Sequence, residues 1–183
     1  MVMGGSAGSV SAVMQIVPRL APGFSIPIVI VLHRKATLHD GFLNDVLQHR
    51  TELLIKEAEE KEPILPSTVY FAPPDYHLLL ERDFTFSLDA SEKVQYSRPS
   101  IDVTFESAAE KYGPKLLGIL LTGANSDGAN GMQEIAEQGG YTIAQDPATA
   151  EVGTMPAAAI QTGTVREVLS LDGIVQFLNQ LAV

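Results

Sequence analysis

The sequence predicts an α/β fold: a doubly wound, mostly parallel sheet with helices on both faces and an antiparallel hairpin at one edge. Three observations carry that prediction. Two short runs, Ile26-Pro27-Ile28-Val29-Ile30-Val31-Leu32 and Leu116-Leu117-Gly118-Ile119-Leu120-Leu121, are apolar almost throughout, as strands are when both faces are covered. Stretches with apolar residues at helical spacing alternate with such runs in both halves of the chain. Between the halves lie short alternating segments and tight turns, which read as hairpins.

The first element should be a strand, because Gly4-Gly5-Ser6-Ala7-Gly8 has the form G-x-S-x-G, a turn that joins a strand to a helix with a serine at its corner. Met1 to Met3 supply only part of that strand, so the chain either starts abruptly or continues something longer. A helix follows from about Ser9 to Leu20, with Val10, Ala12, Val13, Ile16, Val17 and Leu20 at helical spacing and Pro18 and Pro22 closing it. After the Pro22-Gly23 turn comes the first apolar run, a central strand that ends on His33. Arg34 to Asp40 are expected to be a loop. The next helix carries Phe42, Leu43, Val46 and Leu47 on one face and ends near His49 to Thr51.

Leu53 to Lys56, Thr68 to Phe71, His77 to Leu80 and Phe84 to Leu88 are short, alternating and separated by turns such as Pro73-Pro74-Asp75, and together they read as the antiparallel edge. The acidic run Glu57 to Glu62 is expected to be a solvated loop or a frayed helix end. Ile101 to Tyr112 is an amphipathic helix that Ser100 can cap. The second apolar run leads into a glycine-rich loop, Gly123 to Gly131, and a helix from about Ala129 to Gln138 that Gly139-Gly140 stops. A strand at Tyr141 to Ala144, a short helix at Pro156 to Gln161 and a final helix from Ser170 or Asp172 complete the order.

Composition narrows the function. The 183 residues read as a single domain over 1–183, with no cysteine, so thiolate metal sites, disulfides and a cysteine nucleophile are excluded. The net charge of -10 repels phosphate backbones and anionic lipid, so neither nucleic acid nor a membrane surface is expected as a direct partner. The Ile26 to Leu32 run is far short of the ~20 residues of a membrane helix, and no basic segment precedes an apolar stretch at the start of the chain. A cytoplasmic location is the expectation.

Sites on a doubly wound sheet form at the carboxyl ends of its parallel strands, and Ser6, His33 and Asp127 each follow such an end. Serine needs a base to take its proton, and imidazole serves best when a carboxylate fixes its tautomer. Among the four histidines, His39 and His49 fall at the two ends of one helix as surface residues, His33 is in the expected place, and His77 remains the competitor. Asp127 could equally cap the helix that follows it, and Asp102 is an alternative acid already placed to serve a helix dipole. The same glycine-rich turn also suits a phosphate at a helix N-terminus, which keeps open a nucleotide-binding module. It lacks the third glycine of G-x-G-x-x-G and a Walker lysine. The order Ser, His, Asp excludes an ordinary α/β-hydrolase, in which the histidine comes last.

Several blocks now occur together and in order: Gly4-Gly5-Ser6-Ala7-Gly8-Ser9, the strand ending in His33, Val69-Tyr70-Phe71-Ala72-Pro73-Pro74-Asp75-Tyr76-His77, Arg98-Pro99-Ser100-Ile101-Asp102-Val103, Leu120 to Ala129, and Ala144-Gln145-Asp146-Pro147 with Met155-Pro156. Over nearly its whole length the chain resembles the catalytic domain of the chemotaxis protein-glutamate methylesterases, the CheB family. The resemblance implies a hydrolase that removes methyl groups from γ-glutamyl methyl esters on chemoreceptor helices and often deamidates glutamines there. It assigns Ser6 as nucleophile, His33 as base and Asp127 as acid, and it places backbone amides near Ala7 and Ala124 in the oxyanion hole. Arg98 and the Gln145 to Met155 loop are the expected walls of an open cleft. No metal or organic cofactor is implied.

Two loops depart from the family pattern. Ala124-Asn125-Ser126 stands where many members have Met-Gly-Asn, and the loop after His33, Arg34 to Gly41, is longer than the usual Met-Pro-Pro form. Full-length members carry a receiver domain, and none is seen in this chain; a receiver or a methyltransferase, fused or separate, is an expected partner beside the methylated receptor. A catalytically silent domain that only docks on a receptor is the further alternative.

Overall fold

The computed structural model describes residues 1–33 and 41–181. In chain order its first elements are β1 (Val2–Gly5), α1 (Ser9–Ile16), β2 (Ile28–Leu32), α2 (Gly41–Gln48), β3 (Leu54–Glu57), β4 (Thr68–Phe71), β5 (His77–Leu80) and β6 (Phe86–Asp89). There follow α3 (Ile101–Tyr112), β7 (Leu117–Leu120), α4 (Ala129–Glu137), β8 (Tyr141–Gln145), α5 (Thr154–Gln161), β9 (Glu167–Leu169) and α6 (Leu171–Gln180). Seven strands make one parallel sheet in the order β3-β4-β2-β1-β7-β8-β9.

The period of two in a strand sorts the apolar runs onto two faces. Met3, Ile28, Ile30, Leu32, Val69, Phe71, Leu117, Ile119 and Leu121 point to one side and meet Ala12, Val13 and Ile16 of α1, Leu43 and Leu47 of α2, and Ile174 and Leu178 of α6. Val2, Val29, Val31, Tyr70 and Leu120 point to the other and meet Ile101 and Phe105 of α3, Met132 and Ile135 of α4, and Met155 and Ala159 of α5. This is the doubly wound arrangement that continuous apolar runs require, because neither face of β2 or β7 can be left to water. Burial of each such side chain stabilises the fold by roughly 1.5 to 3 kcal/mol before entropy is set against it.

Some elements differ from the sequence reading in physically explicable ways. β1 is a full central strand, since Gly4 and Gly5 continue it and pair with Val31 and Leu32. Glycine is a poor strand former, so the ladder from both neighbours sets its state. α1 ends at Ile16 and passes into a 3₁₀ turn at Val17–Arg19, because Pro18 has no N–H with which to continue the helix. β3 and β4 pair in parallel within the main sheet. The antiparallel hairpin is β5 with β6, which form a two-stranded sheet of their own. That hairpin seats Leu78, Leu80 and Phe86 in the second core, with the Phe86 ring edge-on to Tyr70 at 4.9 Å between centroids. β9 has no counterpart in the sequence reading: three half-exposed residues carry too little pattern to mark a strand.

From β1 the chain moves outward to β2 on one side, and after β4 it returns through α3 to β7 on the other. The carboxyl ends of β1 and β7 therefore flank a topological switch point, where such sheets open a crevice. α3 and α4 close over this end at short range. A Cβ on Gly131 of α4 would lie 2.5 Å from Phe105 Cβ and 3.3 Å from Asp102 Cα, so only glycine allows the approach.

Candidate active site

Ser6 leaves β1 at this crevice with its main chain fully engaged. Its N–H donates to Thr122 O at 3.0 Å, and its carbonyl accepts from Ser9 N at 3.0 Å and Ser9 Oγ at 2.5 Å. Gly8 then turns with φ of 79°, a conformation that glycine adopts without steric penalty, and α1 begins. The hydroxyl is thus held at a rigid corner at the mouth of a helix. Among the described residues, the Ala7 and Ala124 N–H groups donate no hydrogen bond, the condition an oxyanion donor needs. Ala7 and Ala124 are both exposed.

Asp127, in the loop after β7, is completely buried and sits against the first turn of α3. Its Oδ2 accepts from Ile101 N at 2.8 Å; its Oδ1 accepts from Ser100 Oγ and from Asp102 N, both at 3.0 Å. Burial pushes the carboxyl up, but the His33 hydrogen bond and the amides of Asp102 and Ile101 outweigh it and hold it below the usual carboxylate range. The acid is therefore an anion at neutral pH without exposure to water. Asp127 does not cap its own helix; it caps another.

His33 receives that anion. Its Nε2 lies 2.7 Å from Asp127 Oδ2, and its ring is 12% exposed. Since the carboxylate can only accept, the neutral imidazole carries its proton on Nε2 and presents the lone pair of Nδ1. Ser97 Oγ at 3.4 Å and the Asn125 amide at 3.5 Å approach Nδ1. The structure pairs His33 with Asp127, and the His33 N–H donates to the carbonyl of Gly5, the residue before Ser6, at 3.2 Å; among the described residues no hydrogen bond joins Ser6 Oγ to His33. Such contacts are often long in the absence of substrate and tighten with it.

Asp102 repays the arrangement. It stands in the first turn of α3, yet its Oδ1 accepts from Gly128 N and Gly131 N of the α4 terminus, each at 2.8 Å, and its Oδ2 accepts from Gln95 Nε2 and Asn130 Nδ2. Each helix is capped by an acid that belongs to the other. Burial first, and the neighbouring Asp127 charge in addition, push the Asp102 carboxyl up to about 6 against the amides that favour its anion.

Of the remaining histidines, His49 is exposed, and His39, like most of the loop expected to differ after His33, lies outside the described residues. His77 is 1% exposed with both ring nitrogens bonded, so it is not available as a base. The structure places the two expected cleft walls as follows. Met155 is fully buried, packed beneath Gly123, because the loop before α5 folds inward over β7. Arg98 donates through Nη1 to the carbonyls of Ala90 and Ser91, at 2.7 and 2.6 Å, and so staples its own loop. Among the described residues no cluster of three or more His, Asp or Glu side chains could hold a metal, and no helix is long and apolar enough to cross a membrane.

Sequence reasoning missed Thr122 as a hub. Its carbonyl holds Ser6 N, its Oγ1 donates to Ala7 O at 2.9 Å, and its N–H donates to the buried Gln145 side chain at 2.9 Å. Thr122 lies between an apolar strand and a glycine, where a hydroxyl has no core-forming reason to be; that was the available signal.

Comparison with known proteins agrees with this fold. Residues 1–178 match the family model described as CheB methylesterase. A "putative protein-glutamate methylesterase/protein-glutamine glutaminase" of Leptospira interrogans is 51% identical over 180 residues, covering 98% of this chain and 93% of that protein. A protein-glutamate methylesterase/protein-glutamine glutaminase of Carboxydothermus hydrogenoformans is 43% identical, and there the match covers 96% of this chain and 53% of the relative. The crystal structure of the Thermotoga maritima CheB methylesterase catalytic domain superposes with a TM-score of 0.93 at 37% identity, covering 98% of this chain and 96% of that one. With fold, order of blocks and sequence in agreement over almost its entire length, the chain belongs to the CheB methylesterase family.

Proposed function

We propose that this chain is a serine hydrolase that releases methanol from γ-glutamyl methyl esters on the cytoplasmic helices of chemoreceptors, and ammonia from selected glutamines there. The observation that carries the proposal is the His33–Asp127 pair, held at 2.7 Å at the strand ends, with the His33 N–H donating to the carbonyl of Gly5, next to Ser6, at 3.2 Å. Family membership supplies the substrate class.

Ser6 Oγ attacks the γ-carbonyl as its proton passes to His33 Nδ1, while Asp127 holds Nε2–H and steadies the imidazolium. The Ala7 and Ala124 amides receive the oxyanion. Collapse expels methanol, which takes the proton from Nδ1 and leaves a glutamyl ester on Ser6. Water then attacks with its proton going to Nδ1, and Ser6 leaves with that proton, freeing a glutamate side chain. A nucleotide phosphate at this turn is disfavoured by the missing third glycine of G-x-G-x-x-G and the missing Walker lysine.

The test is methanol release from a methylated chemoreceptor cytoplasmic fragment by the wild-type chain, Ser6→Ala and His33→Ala. Each substitution should lower kcat by about four orders of magnitude or more, since triad members act as a unit. Absence of release by the wild-type chain, on a fragment that a characterised methylesterase cleaves, would refute the substrate assignment. Undiminished release by Ser6→Ala would refute the mechanism.

A further inference from the structure

His77 opens β5, far from β2 in sequence, and is buried with both ring nitrogens in use. Nε2 is 3.0 Å from Glu92 O, a pure acceptor, so it carries the proton. Nδ1 accordingly accepts, and the N–H of Ser100 donates to it at 3.1 Å. The imidazole is therefore neutral in a single tautomer. Its partner is the residue that caps α3, and Ser100 Oγ donates to Asp127 Oδ1 while the next two amides donate to both Asp127 oxygens. A continuous chain of hydrogen bonds runs from Glu92 O through His77, Ser100 and Asp127 to His33.

The Ser100 N–H lies one residue outside the helix, so α3 offers it no acceptor, and it is buried away from water. Without His77 Nδ1 that donor would be orphaned, and the peptide carrying it would turn to find a partner. The turn would displace Ser100 Oγ and the amides of Ile101 and Asp102 together, and with them the carboxylate.

We propose that His77 is a positioning residue of the hydrolase: a neutral imidazole that fixes the Ser100 amide and, through it, the carboxylate orienting His33. This rests on the reading of Ser6, His33 and Asp127 as the catalytic set. It assigns to His77 a role in turnover, exerted wholly through Asp127, beyond support of the hairpin.

The two ring nitrogens can be separated by substitution. In His77→Asn the side-chain oxygen falls where Nδ1 was and still accepts from Ser100. His77→Gln places its amide where Nε2 was, keeping the donor to Glu92 and losing the acceptor. His77→Leu keeps neither. Measured on the full chain, kcat for methanol release should fall about tenfold or more in the Gln and Leu variants with KM little changed, the cost of misplacing a catalytic group by a fraction of an ångström. The Asn variant should restore kcat to within about threefold of wild type, because the acceptor to Ser100 is kept. In parallel, the downfield proton resonance of the His33 Nε2–H bridge to Asp127 should keep its position in Asn and move or broaden in Gln and Leu.

Equal kcat in all folded variants, equal loss in Asn and Gln, or an unmoved resonance in Gln and Leu would overturn the proposal. If Gln and Leu do not fold, the Asn resonance decides: retained position supports the role and a displaced one overturns it. The resonance needs no substrate, so an inactive wild-type chain would count against the assigned reaction while leaving the His77 test intact.

Discussion

Replacing Asp102 by asparagine should flatten the pH dependence of stability between about pH 4 and 6. The carboxyl titrates near its ordinary value of 3.8 when unfolded and at about 6 when folded. Across that interval the native state binds more protons than the unfolded chain, so the unfolding free energy falls as pH rises. One proton at 1.36 kcal/mol per unit over roughly two units gives a loss of about 3 kcal/mol from this group. Asp127 acts with the opposite sign and elsewhere: its folded value is lowered, so its contribution is lost as pH falls below the usual carboxylate range. Glu106 is also raised, but it is common to both proteins and cancels in the comparison. Urea unfolding of wild type and Asp102→Asn at half-unit steps from pH 4 to 7 measures the difference. The wild type should lose stability with a limiting slope near 1.4 kcal/mol per pH unit relative to the variant. Parallel curves would show that Asp102 holds no extra proton, and would refute the account of two acids sharing a pair of helix ends.

Further outcomes follow from the same geometry. Asp127→Asn should lower kcat by about 10⁴, since an amide can donate to His33 Nε2 and impose the wrong tautomer; steady-state methanol release measures it, and a loss below tenfold would contradict the assigned role. Gly131→Ala places a methyl 2.5 Å from Phe105 Cβ, a fixed atom; it should cost about 1 to 3 kcal/mol by overpacking, read from thermal or urea unfolding. Met155→Ala empties fully buried space beneath Gly123; it should cost about 2 to 5 kcal/mol and, by loosening the loop that carries Ala124, lower kcat more than it raises KM.

The sheet was legible because β2 and β7 are apolar on both faces, a pattern that short segments rarely show outside a covered parallel strand. The serine corner and the strand-end histidine were legible because glycine spacing and strand ends are written locally. What stayed hidden depends on pairing between distant segments. Nothing in Leu53 to Lys56 says that β3 lies parallel to β4 and outside it, since alternation fixes which face a residue takes and not which neighbour it meets. The surroundings of the two expected cleft walls were hidden for a similar reason. Both read as walls of an open cleft, and the sequence does not show that Arg98 Nη1 bonds two nearby carbonyls or that Met155 is drawn into the core. Asp127 was ambiguous because a cap and a histidine partner need the same carboxylate; the cap expected on α4 is made by Asp102, and Asp127 caps α3 while it holds His33.

The exchange of caps between α3 and α4 ties two measurable quantities together. The amides of Ile101 and Asp102 are covered by Asp127, and those of Gly128 and Gly131 by Asp102. None of the four can exchange its hydrogen with solvent unless an acid is displaced, and displacement of either loosens the turn that holds the other. Their protection factors therefore count how often His33 loses its partner, a clock for the opening of this pair that runs without any substrate.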